Sequence, residues 1–160
     1  MSFSSRRKEI SPEKALLRLE ELCARSEQCS AELMRKLRAW DINPQDAAAI
    51  LRSLKARRFV DDERFARAFV RDKYRFNHWG RIKIAMALRA KHINDDTISQ
   101  AMEEIDQTEY LKILRALLNA KNRAVPADTE AFDRRVKLFR FAASRGFESS
   151  FISKIVTELL

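Results

Sequence analysis

The chain has 160 residues, 46% of them hydrophobic, and a formal net charge of +9. This length suffices for a hydrophobic core, and only 2 Gly and 3 Pro beside 34% charged residues favour helices joined by short turns. The composition excludes a disulfide framework and a membrane span, since there are 2 cysteines and no run near the roughly 20 apolar residues that a span needs. The first residues lack the apolar stretch of a secretory signal. We therefore expect a helical protein of the reducing cytoplasm with no membrane partner.

One pattern of apolar positions occurs three times along the chain, each copy a little over fifty residues after the last. Its members are Ile42, Ile50 and Leu54, then Ile93, Ala101 and Ile105, then Phe147, Ile155 and Leu159, and upstream Leu33 and Leu37, Ile84 and Leu88, Leu138 and Ala142. Repeated helical units pack mainly on their neighbours. The pattern predicts an all-α fold of three tandem three-helix repeats in an elongated, curved array. We place a flexible N-terminus at 1–10 and the repeats at 11–58, 59–106 and 107–160.

Capping residues predict the helix boundaries of the first repeat. Ser11 as N-cap and Pro12 at the first helical position begin helix 1, and helix 2 begins at Ser30. Asn43 as N-cap and Pro44 begin helix 3.

The second repeat is predicted to open at Asp61 and Asp62, whose carboxylates favour a helix N-terminus. Phe65, Phe69 and Phe76 are the predicted core face of this fourth helix. The remaining boundaries are helix 5 from about Gly80 to Lys91, helix 6 capped by Asn94, helix 7 from near Thr108 to a break before Pro126, helix 8 capped near Asp128 or Thr129, and helix 9 near Ser149.

The positive charge is concentrated in the middle of the chain. Residues 51–91 hold 13 Lys and Arg against 4 Asp and Glu, whereas the flanking segments nearly cancel, with 9 against 8 and 10 against 11. A charged run is most often a solvated face, but a surplus confined to one module favours a polyanion or an acidic protein surface as partner.

Four arginines of the fourth helix, Arg64, Arg67, Arg71 and Arg75, fall on one helical face, which we call the arginine stripe. Guanidinium groups at this spacing suit a phosphate backbone or a row of carboxylates. The other candidate partner-binding cations are Arg57, Arg58, Lys73, Arg81, Lys83, Arg89 and Lys91. The alternative reading is an ordinary polar face.

Two aromatic residues, Tyr74 and Trp79, lie among these cations in sequence. Aromatic rings beside cations can stack on unpaired bases, so both residues are candidates for base stacking. Core packing or contact between repeats is the alternative for Trp79.

The sequence contains no recognisable catalytic arrangement. Gly80 and Gly146 are isolated, so no glycine-rich loop is present to hold a nucleotide phosphate. His78 and His92 do not have zinc-ligand spacing. We therefore expect no enzyme activity, no metal and no cofactor.

The segment FVDDERFARAFVRDKYRFNHWGRIKIAMALRAKHI, residues 59–93, resembles the RecX regulatory proteins, bacterial modulators of the RecA recombinase. The specific elements are aromatic-V-D-D-E-R-F-A, then G-R-I, then L-x-x-K-x-I. CSAELMRKL at residues 29–37 and RGF at residues 145–147 are similar to the first and third repeats of that family.

The resemblance implies a protein that binds RecA and the RecA–DNA filament, and we expect it to be a monomer. Such proteins lower RecA ATP hydrolysis, strand exchange and co-protease activity, and so modulate repair, recombination and the SOS response. The family commonly has glycine before the Ile that starts each third helix. Asp41 and His92 stand there in this chain, and only Gly146 conforms. Asp and His tolerate left-handed backbone, so we expect these turns to survive.

Two other functions remain open. One is direct binding of single- or double-stranded DNA by a helix-turn-helix unit, although helix 6 (DDTISQAMEEI) is acidic and argues against a recognition helix. The other is a helical adaptor with no nucleic-acid contact.

Overall fold

The computed structural model describes residues 10–160, and all regular structure within that range is helical. The helices are α1 (Pro12–Arg25), α2 (Ser30–Ala39), α3 (Pro44–Ala56), α4 (Asp62–Arg75), α5 (Arg81–Ala90), α6 (Asp95–Ala101), a 3-10 helix (Met102–Glu104), α7 (Gln107–Ala124), α8 (Ala131–Ser144) and α9 (Ser149–Leu159). No helix in this range is long and apolar enough to cross a membrane. The predicted all-α fold is confirmed, and the N-terminal segment predicted to be flexible lies, except for Ile10, outside the described residues.

The chain divides into two compact units, one ending at Phe65 and the other running from Ala66 to Leu160. The division falls inside α4.

The first unit contains α1, α2 and α3. The side chain of Ser11 accepts a hydrogen bond from Lys14 N, and that of Asn43 accepts one from Asp46 N, so both predicted N-caps are confirmed. Between the helices lies an apolar core formed by Ala15, Leu19, Leu33, Leu37, Ile42, Ala47, Ile50, Leu54 and Val60.

The two aspartates that open the second repeat have different roles within the first unit. Asp61 caps α4, since its Oδ1 accepts hydrogen bonds from Glu63 N and Arg64 N. Asp62 instead accepts a 2.8 Å hydrogen bond from Ser30 N and another from the Ser30 hydroxyl. The carboxylate of Asp62 therefore caps α2, which has no cap from its own N-cap residue, Cys29.

The second unit contains the rest of α4 and α5 to α9. Its buried residues include Val70, Tyr74, Ile84, Leu88, Ile98, Tyr110, Leu114, Leu118, Leu138, Phe147 and Ile152. Packing is closest among α7, α8 and α9.

The burial of equivalent residues confirms the repeat. Leu33, Ile84 and Leu138 are each 0% exposed, as are their partners one turn later, Leu37, Leu88 and Ala142. Ile50, Ala101 and Ile155 are also buried, at 6%, 1% and 4% exposure. The sequence pattern therefore marks the same core positions in each three-helix group.

The turn before each third helix is also repeated. Asp41, His92 and Gly146 all have positive φ, at 57°, 60° and 90°. In each turn this residue donates its N–H to the carbonyl three positions back, and the following residue donates to the carbonyl five positions back. This is the Schellman arrangement that closes a helix C-terminus. The expectation that Asp41 and His92 preserve the turn is confirmed.

The two glycines of the chain contact one another in the second unit. A Cβ on Gly80 would lie 2.3 Å from the carbonyl atoms of Gly146, and one on Gly146 would lie 2.3 Å from Cβ of Lys83. Gly80 N donates to Arg145 O at 2.7 Å, and Ile82 N donates to Gly146 O at 3.0 Å. Two N–H groups at the start of α5 are thus satisfied by carbonyls just after α8, and a third, Arg81 N, donates to the Tyr110 hydroxyl at 3.0 Å.

The structure refines two predicted helix starts by one or two residues and overturns one predicted core residue. Helix α7 starts at Gln107 because Asp106 caps it, accepting from Glu109 N. Helix α8 starts at Ala131, after Glu130 rather than after Asp128 or Thr129. Phe76 is not in the core but 76% exposed, because α4 ends at Arg75 and the helical pattern does not extend to it.

Candidate polyanion-binding surface

Helix α4 carries the arginine stripe. The first arginine of the stripe, Arg64, lies in the first unit and forms hydrogen bonds with other residues of that unit. Arg64 donates from Nε to Glu27 and from Nη2 to the carbonyl of Arg58 at 3.1 Å. The hydrogen bond to Glu27 is the main reason that the pKa of Arg64 is raised above its ordinary value. Arg57 similarly pairs with Glu20 at 2.7 Å. Arg58 is exposed at a positive φ of 59°.

The stripe members of the second unit also face carboxylates. Glu104 lies 3.8 Å from Arg67 and 3.3 Å from Arg71, and Glu109 lies 3.6 Å from Arg75. The three arginine side chains remain 42–46% exposed. Ion pairs this open to water contribute about 0–1 kcal/mol each, so they hold the arginines weakly. The acidic partners nevertheless reduce the positive field that the stripe presents.

Tyr74 is 0% exposed, so its ring cannot stack on a base in this structure. Ala66, Val70 and Tyr74 are spaced four residues apart and are buried. Of the predicted phenylalanine face, Phe65 is also buried, at 8% exposure. The Tyr74 hydroxyl donates toward Glu104 O and Glu109 and accepts from Arg75 Nε at 3.1 Å. This last hydrogen bond is the main cause of the raised pKa of Arg75. Tyr74 is therefore a core residue.

A second group of cations lies against aromatic rings. We call these lysines and rings together the lysine–aromatic cluster, which consists of Phe69, Lys73, Trp79, Lys83 and Lys91. The Phe69 and Trp79 rings meet edge to face, with centroids 6.5 Å apart. The Lys73 ammonium lies 5.3 Å from the Phe69 centroid and 4.8 Å from that of Trp79, and Lys83 lies 4.5 Å from Trp79. Lys91 lies 6.0 Å from Phe69. These are cation–π distances.

Three elements of the second unit build this cluster. Phe69 and Lys73 are one turn apart on α4, Trp79 lies in the following turn, and Lys83 lies on α5. Trp79 N donates to Lys73 O at 3.0 Å, which fixes the indole beside the end of α4. Within residues 10–160, Lys73 and Lys83 form no ion pair with a carboxylate. Their charge is therefore available to an external anion.

Two predicted binding residues are paired with carboxylates of the protein itself. Arg81 donates to Glu148 at 2.9 Å and to Gln107 at 2.6 Å, and its guanidinium lies 4.2 Å from the ring centroid of Tyr110. Tyr110 is fully buried and donates a short hydrogen bond to Glu148. Burial, with that hydrogen bond, raises the pKa of Tyr110 far above its ordinary value. Arg89 pairs with Asp95 at 3.0 Å, with both side chains exposed.

Sequence reasoning missed two features of this region. Phe69, a predicted core residue, is half-buried, and the ammonium groups of Lys73 and Lys91 lie within cation–π distance of its ring. Ile82 and Met86 on α5 are 49% and 63% exposed. The only local signal is that Ile82 stands between Arg81 and Lys83.

Comparison with known proteins identifies the family. Residues 61–102 match the family model described as RecX, second three-helix domain. The chain is 31% identical over 137 residues to the regulatory protein RecX of Prosthecochloris aestuarii, covering 84% of this chain and 85% of that protein. The chain belongs to the RecX family.

A RecX relative from Clostridium acetobutylicum is 27% identical over 131 residues, which cover 80% of this chain and 60% of that longer protein. The crystal structure of RecX from Lactobacillus salivarius matches with a TM-score of 0.82 at 20% identity, covering 92% of this chain and 96% of that one. At this identity the structural match supports the fold. The whole lysine–aromatic cluster lies inside the matched second RecX domain.

Proposed function

We propose that this protein binds RecA and the RecA–DNA filament and inhibits RecA ATP hydrolysis, strand exchange and co-protease activity. Support comes from membership of the RecX family, whose relatives are named regulatory proteins. A regulator of this kind acts by binding and not by catalysis. The proposal includes action as a monomer in the cytoplasm, with modulation of DNA repair, recombination and the SOS response as the consequence.

The single structural observation that carries the proposal is the lysine–aromatic cluster. The ammonium groups of Lys73 and Lys83 lie against aromatic rings, and neither lysine has a carboxylate partner in the described part of the chain. Ammonium groups bind phosphates as point charges, and an aromatic ring such as that of the half-buried Trp79 can contact an unpaired base. We propose that this cluster contacts the DNA of the filament.

The arginine stripe has a secondary role in the same proposal. Arg67, Arg71 and Arg75 are half-exposed and weakly paired, so a phosphate backbone can replace Glu104 and Glu109 as their partner. Each such replacement exchanges one exposed ion pair for another, which yields a smaller net gain than the unpaired lysines provide.

The deciding experiment measures RecA ATP hydrolysis on single-stranded DNA with substoichiometric amounts of this protein. We expect the rate to fall at well below one molecule per RecA, and a Lys73→Gln/Lys83→Gln variant to require a higher concentration for the same effect. Binding to naked DNA without any effect on RecA turnover would instead favour a direct DNA-binding protein. No effect on turnover and no binding to DNA or RecA would favour the adaptor.

A further inference from the structure

Helix α5 is apolar on two opposite faces. Ile84 and Leu88 are 0% exposed and form its inward face. Ile82 and Met86, one turn apart, project outward with exposures of 49% and 63%, and we call this pair the apolar ridge. The outward face of a surface helix is normally polar, so two large exposed apolar side chains opposite a buried apolar face mark a face of α5 that lacks a partner in the isolated chain.

A groove runs along each side of the apolar ridge. One has a volume of about 460 Å³ and is lined by Trp79, Lys83, Met86, Ala143 and Gly146 among others. The other, of about 350 Å³, is lined by Ile82, Ala85, Arg89, Ile98 and Met102 among others. A ridge between two grooves is the surface on which the side chains of another helix or extended segment interdigitate.

The charge around the ridge defines what it accepts. Helix α5 carries Arg81, Lys83 and Arg89 and no acidic residue. Asp95, the carboxylate lining the second groove, is paired with Arg89. Arg81 is paired with Glu148, so Lys83 is the rim cation that has no carboxylate partner among residues 10–160. Lys83 leaves the rim net positive around an aliphatic centre, which complements a segment with apolar residues flanked by carboxylates.

Two other occupants fit less well. A nucleic-acid backbone gains little from Ile82 and Met86, because aliphatic side chains offer phosphates no hydrogen-bond donor. A second copy of this chain brings a net charge of +9 to a rim that is already cationic, so the two molecules repel.

We propose that the apolar ridge is the protein-contact surface of this molecule and that it receives an acidic, apolar segment of the partner protein. This inference rests on the proposed function, in which that partner is RecA. The lysine–aromatic cluster adjoins the ridge through Trp79 and Lys83, so one continuous surface of the second unit contacts RecA and the DNA it holds.

The test uses the full chain with Ile82→Gln/Met86→Gln, a change that removes apolar surface but keeps good helix formers. The matched control is Leu17→Gln on α1, where a leucine is exposed to a similar degree, 59%. Circular dichroism melting verifies that both variants fold. Affinity is measured by fluorescence anisotropy for DNA-free RecA and for an oligothymidine.

We expect the ridge variant to bind RecA about tenfold more weakly, a change of about 1.4 kcal/mol, with unchanged affinity for oligothymidine. The Leu17 control should match the wild type on both. Arg89→Glu should also weaken RecA binding, because it places a carboxylate opposite an acidic segment.

The unfavourable outcomes are separable. Wild-type affinity of the ridge variant for RecA would overturn the inference while leaving the proposed function intact. An equal loss of affinity for oligothymidine in the ridge variant would assign the ridge to nucleic acid. Self-association of the wild type that the ridge variant lacks would assign the ridge to a second copy of the chain. Failure of the wild type itself to bind RecA would overturn the proposed function and the inference together.

Discussion

The second unit presents two cationic groups whose surroundings differ. On the arginine stripe, Arg67 and Arg71 share the carboxylate of Glu104. In the lysine–aromatic cluster, Lys73 and Lys83 face Trp79 at 4.8 Å and 4.5 Å and have no carboxylate partner in the described chain. The aromatic quadrupole attracts a cation without neutralising it. The number of positive residues in a segment is therefore a poor guide to the charge that an external partner meets.

The largest expected effect concerns the core beneath the stripe. Tyr74→Ala should lower the free energy of unfolding by about 3–5 kcal/mol, since it empties a fully buried aromatic site. Phe76→Ala, two residues on and 76% exposed, should change it by about 0.5 kcal/mol or less. Urea denaturation of the two variants provides the measurement. Equal midpoints would contradict the assignment of Tyr74 to the core.

The second prediction compares the two cationic groups directly. Lys73→Gln/Lys83→Gln should lower affinity for single-stranded DNA about tenfold at 0.15 M salt, because two phosphate contacts and their counterion release are lost. Arg67→Gln/Arg71→Gln should lower it by less, since Glu104 already occupies both arginines.

The salt dependence of binding checks the cause of that loss. In a plot of the logarithm of the binding constant for single-stranded DNA against the logarithm of the salt concentration, the slope of the lysine variant should be less negative than that of the wild type by about 1.4. A greater loss in the arginine variant would reverse the ranking of the two groups.

The third prediction is a substitution that raises the affinity for single-stranded DNA. Glu104→Gln should raise affinity for single-stranded DNA by up to about fivefold, because it releases two arginines from exposed ion pairs worth about 0–1 kcal/mol each. Glu103→Gln, at the neighbouring position, removes the same charge from a side chain that has no ion pair among residues 10–160, and it serves as the control. An equal gain in both variants would indicate a general change in net charge.

The smallest expected effect is on stability. Arg67→Gln alone should change the free energy of unfolding by about 0.5 kcal/mol or less, since its ion pair spans 3.8 Å and is half-exposed. Thermal melting at low and high salt measures it. A loss that persists at high salt would mean that the arginine packs as well as pairs.

Sequence reasoning predicted the repeat and its turns because both depend on local pattern. The equivalent positions Ile50, Ala101 and Ile155 are all buried. Asp41 and His92 adopt the left-handed backbone that Gly146 adopts in the third repeat, as their tolerance for positive φ indicates. N-caps at Ser11, Asn43 and Asn94 were also predictable, since the capping side chain lies beside the helix it caps.

The candidate site was less predictable because its properties depend on distant residues. The pairing of Arg71 with Glu104 joins positions 33 residues apart in sequence. The role of Phe69 depends on Lys91, twenty-two residues later, and on Trp79 beyond the end of α4. Helical periodicity gives the face on which a side chain lies, but not what lies opposite that face.

The sequence by itself determined the all-helical class, the repeated apolar pattern, and the caps at Ser11, Asn43 and Asn94, since each helix and each of these caps depends on residues close together in the chain. Its motifs also indicated the family. Only the tertiary structure decided which cations are neutralised, that Tyr74 is buried, that Gly80 and Gly146 touch, and that the outward face of α5 is apolar and uncovered. These features depend on distances between helices. Those distances are fixed only when the apolar faces pack together, because packing brings carboxylates, rings and backbone groups from separate helices into contact.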